Sequence, residues 1–180
     1  MLTRTEHRAA QERAVAMIRA AGIAITDAEA GRVEVADFGL SRLEQEGAQI
    51  LTLAATDRIA VKIIVLFAGQ TLPEHWHPPV GDDPGKEETV RVVHGVLRCC
   101  VPGEPDLHEG WVPPGKEAVY TARHELLLGP GGQLTLAPGT KHWFQAGPAG
   151  AVAYSFSTVA RDILDPFTDP NVQRVTRITD

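Results

Sequence analysis

From residue 48 to residue 156 the chain alternates short apolar runs with clusters of Gly, Pro and Asp, and this rhythm limits the folds open to it. The runs are AQILTLAA, AVKIIVLF, ETVRVVHG, VLRCCV, EAVYTA, HELLLG, QLTLA and AVAYSF. Eight short segments separated by turn residues predict an antiparallel barrel or sandwich. No repeat or low-complexity block interrupts them. Ahead of them, apolar Ala10, Ala14, Met17, Ile18 and Ala21 recur at three- and four-residue steps and predict a helix over residues 5 to 21, with Gly22 ending it. The segment VARDILDPFTDPNVQRVTRITD carries two prolines and many charges, and reads as an arm packed outside the barrel. The expected organisation is therefore one domain: helix and arm at 1–47, barrel at 48–158 and C-terminal arm at 159–180.

Composition narrows the partners. The formal net charge is −6 and no basic stripe appears, which argues against a nucleic-acid footprint. Cys99 and Cys100 are adjacent, so on a strand they point to opposite faces and do not pair with each other. The opening MLTRTEHRAAQERAV has no apolar core of a signal peptide, and no run approaches the roughly 20 apolar residues of a membrane span. A cytoplasmic protein acting on a small molecule is expected, with a homodimer on general grounds. Val172, Val175 and Ile178 are the side chains offered to a neighbour.

The stretch Gly69 to Gly95, GQTLPEHWHPPVGDDPGKEETVRVVHG, concentrates the chemistry. Residues two apart on a strand share a face, so His75 and His77 project together and Trp76 turns away. Two neutral imidazoles side by side make half of a coordination shell. If ETVRVV is a strand, Glu88, Val90 and Val92 form one face and Thr89, Arg91 and Val93 the other. Both faces carry valine, so apolarity alone does not say which is inward. Asp37-Phe38-Gly39 spells the magnesium-binding tripeptide of protein kinases, but it lacks the glycine-rich loop and catalytic loop that would give it meaning.

The order Gly69, five residues, His75-x-His77, an acidic residue, six residues and Gly95 resembles the first metal motif of the cupin superfamily, with His142 of TLAPGTKHWF in the second. The six-residue gap selects Glu88 over Glu87. Ten residues separate His77 from Glu88, more than in most cupins. With that insertion, and with DFGL, EHWHPPV, GKEET, HEL, PGG, APGTKHWFQAG and FTDP, the chain resembles the D-lyxose ketol-isomerases, aldose–ketose isomerases of the cupin fold.

This resemblance implies an all-β cupin fold, a double-stranded β-helix or jelly-roll barrel, with an N-terminal helix and a C-terminal arm. It implies a metal held by His75, His77, Glu88 and His142. Three imidazoles and one carboxylate suit Mn, Fe, Co, Ni or Zn, and manganese is the expected ion. Lys86 stands where the resembling isomerases carry a proton-transfer lysine, and a nearby cation should lower its pKa. Lys62, a charge within AVKIIVLF, asks for a partner or a ligand and is assigned to substrate binding, as is His124. His94, before Gly95 at an expected hairpin turn, and His7 read as surface residues; Pro102 to Lys116, with His108 and Trp111, reads as a long surface loop.

One departure weighs on the reading. The isomerases have a glutamate on the strand before the C-terminal arm, as the second proton-transfer group, where this chain has Ser155. A serine needs activation to act as a base, so Glu87, His124 or Tyr154 would have to take the role, or the reaction differs. The leading expectation is a metal-dependent isomerase of D-lyxose and D-xylulose, or of D-mannose and D-fructose, with a monosaccharide as its partner molecule. The rivals are a cupin dioxygenase and a sugar-binding cupin without catalysis.

Overall fold

The structure, a computed structural model, describes residues 1–180. In chain order the elements are β1 (Leu2–Thr3), α1 (Arg4–Ala20), α2 (Asp27–Ala30), β2 (Glu34–Ala36), β3 (Ala48–Ala55), β4 (Ile59–Leu66), β5 (Thr71–His75) and β6 (Glu88–Val101). There follow β7 (His124–Leu128), β8 (Gln133–Leu136), β9 (His142–Thr158), a 3-10 turn at Asp162–Leu164 and β10 (Ile178–Thr179). Helix α1 starts one residue before the expected position, because Thr3 and Glu6 cap each other's backbone reciprocally. Gly22, at φ 80°, lies just past its end. No helix is long and apolar enough to cross a membrane.

The expected all-β barrel forms. Its strands run β2-β3-β4-β9-β6-β7, with β5 added to β9 and β8 to β6, and every pairing in this sheet is antiparallel. Strands β6 and β9 are long because each turns a corner from one side of the barrel to the other. Gly95 marks that corner: a Cβ there would stand 2.0 Å from the Gly150 carbonyl oxygen, so no side chain is tolerated where the two strands cross. The hairpin expected at Gly95 is thus absent, and ETVRVVHG and VLRCCV are one bulged strand, although His94 is exposed.

Strand β4 explains its own unbroken apolar run. Ile64 and Leu66 enter the barrel interior beside Leu72, Val90, Val92 and Phe144, while Ile63 and Val65 meet Ala14 and Ile18 of α1 on the other face. Both faces are buried, so alternation disappears. The run EAVYTA, expected as a strand, is turn and loop. Its Thr121 and Ala122 N–H groups bond the Glu74 carboxylate and its Tyr120 hydroxyl bonds Glu46, which leaves no ladder for it to join.

The C-terminal residues do more than pack outside. Strand β10 pairs in parallel with β1, and before it the chain passes along β5: Trp76 N bonds the Pro166 carbonyl, Thr168 N bonds the Glu74 carbonyl, and His75 bridges Phe167. This brings Asp162, Asp165 and Phe167 to the barrel mouth.

Candidate metal centre

His75 ends β5, His142 begins β9 and the two are register partners; His77 follows two residues beyond His75. His77 lies beyond the end of β5, but its ring still joins that of His75 beside His142, with ring centroids 5.2 Å (His75 to His77), 4.3 Å (His75 to His142) and 5.1 Å (His77 to His142) apart. One ring nitrogen from each of the three lies within 4.8 Å of the others, a group able to hold a metal. Glu88 opens β6 on the face it shares with buried Val90 and Val92, so the inward parity is the one that carries the carboxylate.

Local bonds orient the rings. The Nδ1 atoms of His75 and His142 lie 2.9 Å from the carbonyl oxygens of Pro73 and Thr140. A carbonyl only accepts, so each Nδ1 carries the hydrogen and each Nε2 keeps its lone pair. The Nε2 of His142 is buried with no partner, an orphan that a cation would satisfy. His77 sits between two carboxylates, with Nε2 2.9 Å from Glu88 Oε2 and Nδ1 3.1 Å from Asp165 Oδ1, the latter close enough for an ion pair but not aligned as a hydrogen bond. The His77–Glu88 contact is at hydrogen-bond distance, and Glu88 stands beside the three rings whose nitrogens come together rather than within that group. The donor set fits a divalent transition ion.

The electrostatics favour the neutral, ligating form for two of the three rings. Burial lowers His75 well below the usual histidine value, with His142 and His77 adding to it, and pulls His142 down to about 4, so both rings are neutral ligands at pH 7. Burial would lower His77 too, but Asp165 and Glu88 outweigh it and its pKa is raised. Burial would raise Glu88, yet Lys86 and then His77 hold it well below the usual carboxylate range.

Beside these donors lies a small cavity lined by Lys62, Lys86, Glu88, Asp162, Asp165 and Arg174 together with Phe38, Ile64, Leu72 and Phe144. Lys86 reaches it because the insertion after His77 folds back tightly: Gly85, at φ 105°, would put a Cβ 2.6 Å from the His77 carbonyl oxygen. Its Nζ is 3.4 Å from Glu88 Oε2 and 3.6 Å from Asp162 Oδ1. The expected depression of Lys86 is not what the protein groups produce: burial pulls it down, but Glu88, Asp162 and Asp165 outweigh burial and raise it. Lys62 finds the partner its burial demands in Asp162. Asp162, which burial would raise, is lowered by Lys62 and Lys86.

His124 is not brought to this cavity. Its Nδ1 lies 2.9 Å from the Asp106 carboxylate, which also takes the Glu125 N–H, and this pairing keeps the ring on the long loop. Glu87, Tyr154 and His124 do not line the cavity either as substitutes for the glutamate absent at 155. Ser155 itself donates to Glu88 Oε1. Sequence reasoning missed Asp162, Asp165 and Arg174; the only signal was a cluster of acids around Pro166 in a segment read as an outer arm.

Comparison with known proteins gives a consistent set of relatives. The family described as D-lyxose isomerase matches residues 7–180. The D-lyxose ketol-isomerase of Cohnella laeviribosi is 53% identical over 172 residues, covering 95% of this chain and 94% of its own. The D-lyxose/D-mannose isomerase of Thermosediminibacter oceani is 46% identical over 181 residues and the full length of both chains. Among solved structures, the L-ribose isomerase of Acinetobacter sp. DL28 in complex with L-ribose superposes with a TM-score of 0.84 over 99% of this chain and 98% of its own, at 16% identity, a likeness of fold.

Proposed function

The chain belongs to the D-lyxose isomerase family, a family of sugar isomerases, and we propose that it interconverts D-lyxose and D-xylulose, with D-mannose and D-fructose as a second pair, in the cavity beside His75, His77, Glu88 and His142. The observation that carries this reading is a cavity lined by His75, Glu88 and two buried lysines, with His77 and His142 grouped against His75. Manganese is our assignment for the ion that His75, His77, Glu88 and His142 would hold, since a mixed nitrogen and carboxylate shell suits a divalent first-row metal. When bound, the metal polarises the sugar carbonyl and acidifies the adjacent C–H.

The chain's own groups would carry the protons. Asp162, kept ionised by Lys62 and Lys86, takes the proton from C2 of the open-chain aldose as Lys86 donates one to the C1 oxygen, which yields a cis-enediol. Lys86 then recovers a proton from the C2 oxygen and Asp162 returns its proton to C1, which gives the ketose and restores both groups. This division starts from a charged Lys86 and an ionised Asp162, the forms that their mutual attraction favours, and it does not call on a glutamate at position 155. Lys62 would hold Asp162 and contact substrate hydroxyls.

Free, buried Cys99 and Cys100 favour a reducing, cytoplasmic setting, and the exposed Ile59, Phe156, Ile163 and Leu164 favour assembly as a homodimer. The test is incubation of the manganese-loaded protein with a panel of pentoses and hexoses while ketose and oxygen are monitored. D-xylulose from D-lyxose with no oxygen uptake is expected. Oxygen consumption would point to a dioxygenase, and sugar binding without conversion to a non-catalytic receptor.

A further inference from the structure

Glu74 immediately precedes His75, and its side chain leaves the opposite face of β5. The residue is 1% exposed, and its carboxylate accepts from Thr121 N (2.7 Å), Ala122 N (2.7 Å), Thr121 Oγ1 (2.8 Å) and Thr168 Oγ1 (2.6 Å). Its carbonyl accepts from Thr168 N at 3.1 Å. One acidic residue therefore fastens two distant segments to the strand that ends in a candidate ligand. A buried carboxylate offers only acceptors, and here donors meet both of its oxygens.

What Thr168 anchors is the outer support of the metal centre. It follows Phe167, whose ring packs 5.6 Å from that of His75 and 5.5 Å from that of Phe38. Pro166 receives the Trp76 N–H, and Asp165 places its carboxylate 3.1 Å from His77 Nδ1. Residues 165–168 thus form a short strap along β5, and its registry with β5 sets where Asp165 meets His77. Outer partners of a ligand imidazole fix its orientation and basicity. The backbone bonds of the strap are few and lie at the barrel mouth, so the side-chain bond from Glu74 to Thr168 adds directly to its hold.

We propose that Glu74 is a positioning residue for the reaction: through Thr168 it locks the 165–168 strap in register with β5 and so keeps Asp165 on His77 and Phe167 on His75. Its bonds to Thr121 and Ala122 hold the neighbouring loop and are separable from this role. The proposal rests on the metal-dependent isomerase reading.

The experiment compares wild type with Thr168→Val, Thr121→Val, Glu74→Ala and the Glu74→Ala/Thr168→Val double variant. It measures Mn2+ affinity by direct titration, thermal midpoint, and kcat and KM separately. Thr168→Val is expected to weaken Mn2+ binding by about tenfold, the low end for loss of an outer partner, and to lower kcat more than it raises KM. Thr121→Val, which removes the one side-chain bond from the loop to Glu74 and leaves its two backbone bonds, should bind Mn2+ within about twofold of wild type. The double variant should bind no worse than Glu74→Ala, because both changes cut one link. Indifference of Mn2+ affinity to Thr168→Val, or equal damage from Thr121→Val, overturns the proposal even if Glu74→Ala does not fold. A wild type that binds no Mn2+ overturns the metal assignment and the proposal together, and that outcome is distinguishable from the first two.

Discussion

Ser155 donates its hydroxyl hydrogen to Oε1 of Glu88, and both side chains are buried. The bond leaves Oε2 facing His77 Nε2 and Lys86 Nζ. A carboxylate at position 155 would put a second negative charge beside Glu88 out of reach of water, whereas a hydroxyl orients the one already there. The serine is thus a fitting neighbour for this particular arrangement of acids.

Ser155→Ala is expected to remove that orienting bond and leave Oε1 unpartnered. Metal affinity should fall by about tenfold and folding stability by roughly 1–3 kcal/mol. Metal titration and denaturant unfolding read the two effects separately, and an unchanged affinity would mean that the hydroxyl does not steer Glu88.

Asp165→Asn should weaken metal binding by about 10–100-fold, because His77 loses the charged partner at Nδ1. The barrel core does not include this side chain, so the thermal midpoint of the metal-free protein is expected to change little. Equal metal affinity in the two proteins would separate Asp165 from the centre.

Lys86→Gln and Asp162→Asn are each expected to lower kcat by about 10²–10⁴-fold, the usual worth of a positioned proton-transfer group. Their combination should cost little more than either alone, since the two act as one relay. Steady-state assays on metal-saturated protein test this, and near-normal turnover in Asp162→Asn would return the second proton transfer to another group.

Acid should destabilise the metal-stripped protein. His142 is lowered from 6.5 to about 4 in the fold and His75 is also well below its usual value, so between those limits the unfolded chain binds more protons and gains from falling pH. Stability from His142 is present above pH ~6.5 and lost as pH falls toward about 4, and His75 acts in the same direction. Glu88, depressed in the fold, adds a further loss as pH drops below the usual carboxylate range. His77 is raised and works the other way, its contribution fading as pH rises, but it is one ring against two. Thermal midpoints of chelated protein between pH 7 and pH 4 should fall; a flat profile would contradict the burial of the neutral rings.

Removal of the metal by a chelator is expected to abolish isomerisation and lower the thermal midpoint, and added Mn2+ should restore both, because ligand binding to the folded state alone raises stability. His142→Ala, which deletes the orphaned Nε2, should make both measurements insensitive to Mn2+.

Local spacing in the chain was enough to determine the all-β class, the ends of α1 to within one residue and the grouping of His75 with His77, since helical and period-two geometry act over a few residues. The spacing of Glu88 from Gly95 pointed to the face that the barrel turned inward. Folding at a distance settled the rest. EAVYTA reads as a strand until the Glu74 carboxylate, 47 residues earlier than Thr121, claims its N–H groups. Gly95 reads as a turn until the Gly150 carbonyl oxygen approaches it. Lys62 shows a need for a counter-charge but not that Asp162, 100 residues away, meets it. The C-terminal acids carry no periodicity that marks them as part of a site, and only the closure of the barrel, which brings β5 and the chain end side by side, gives Asp162 and Asp165 their lysines and their histidine.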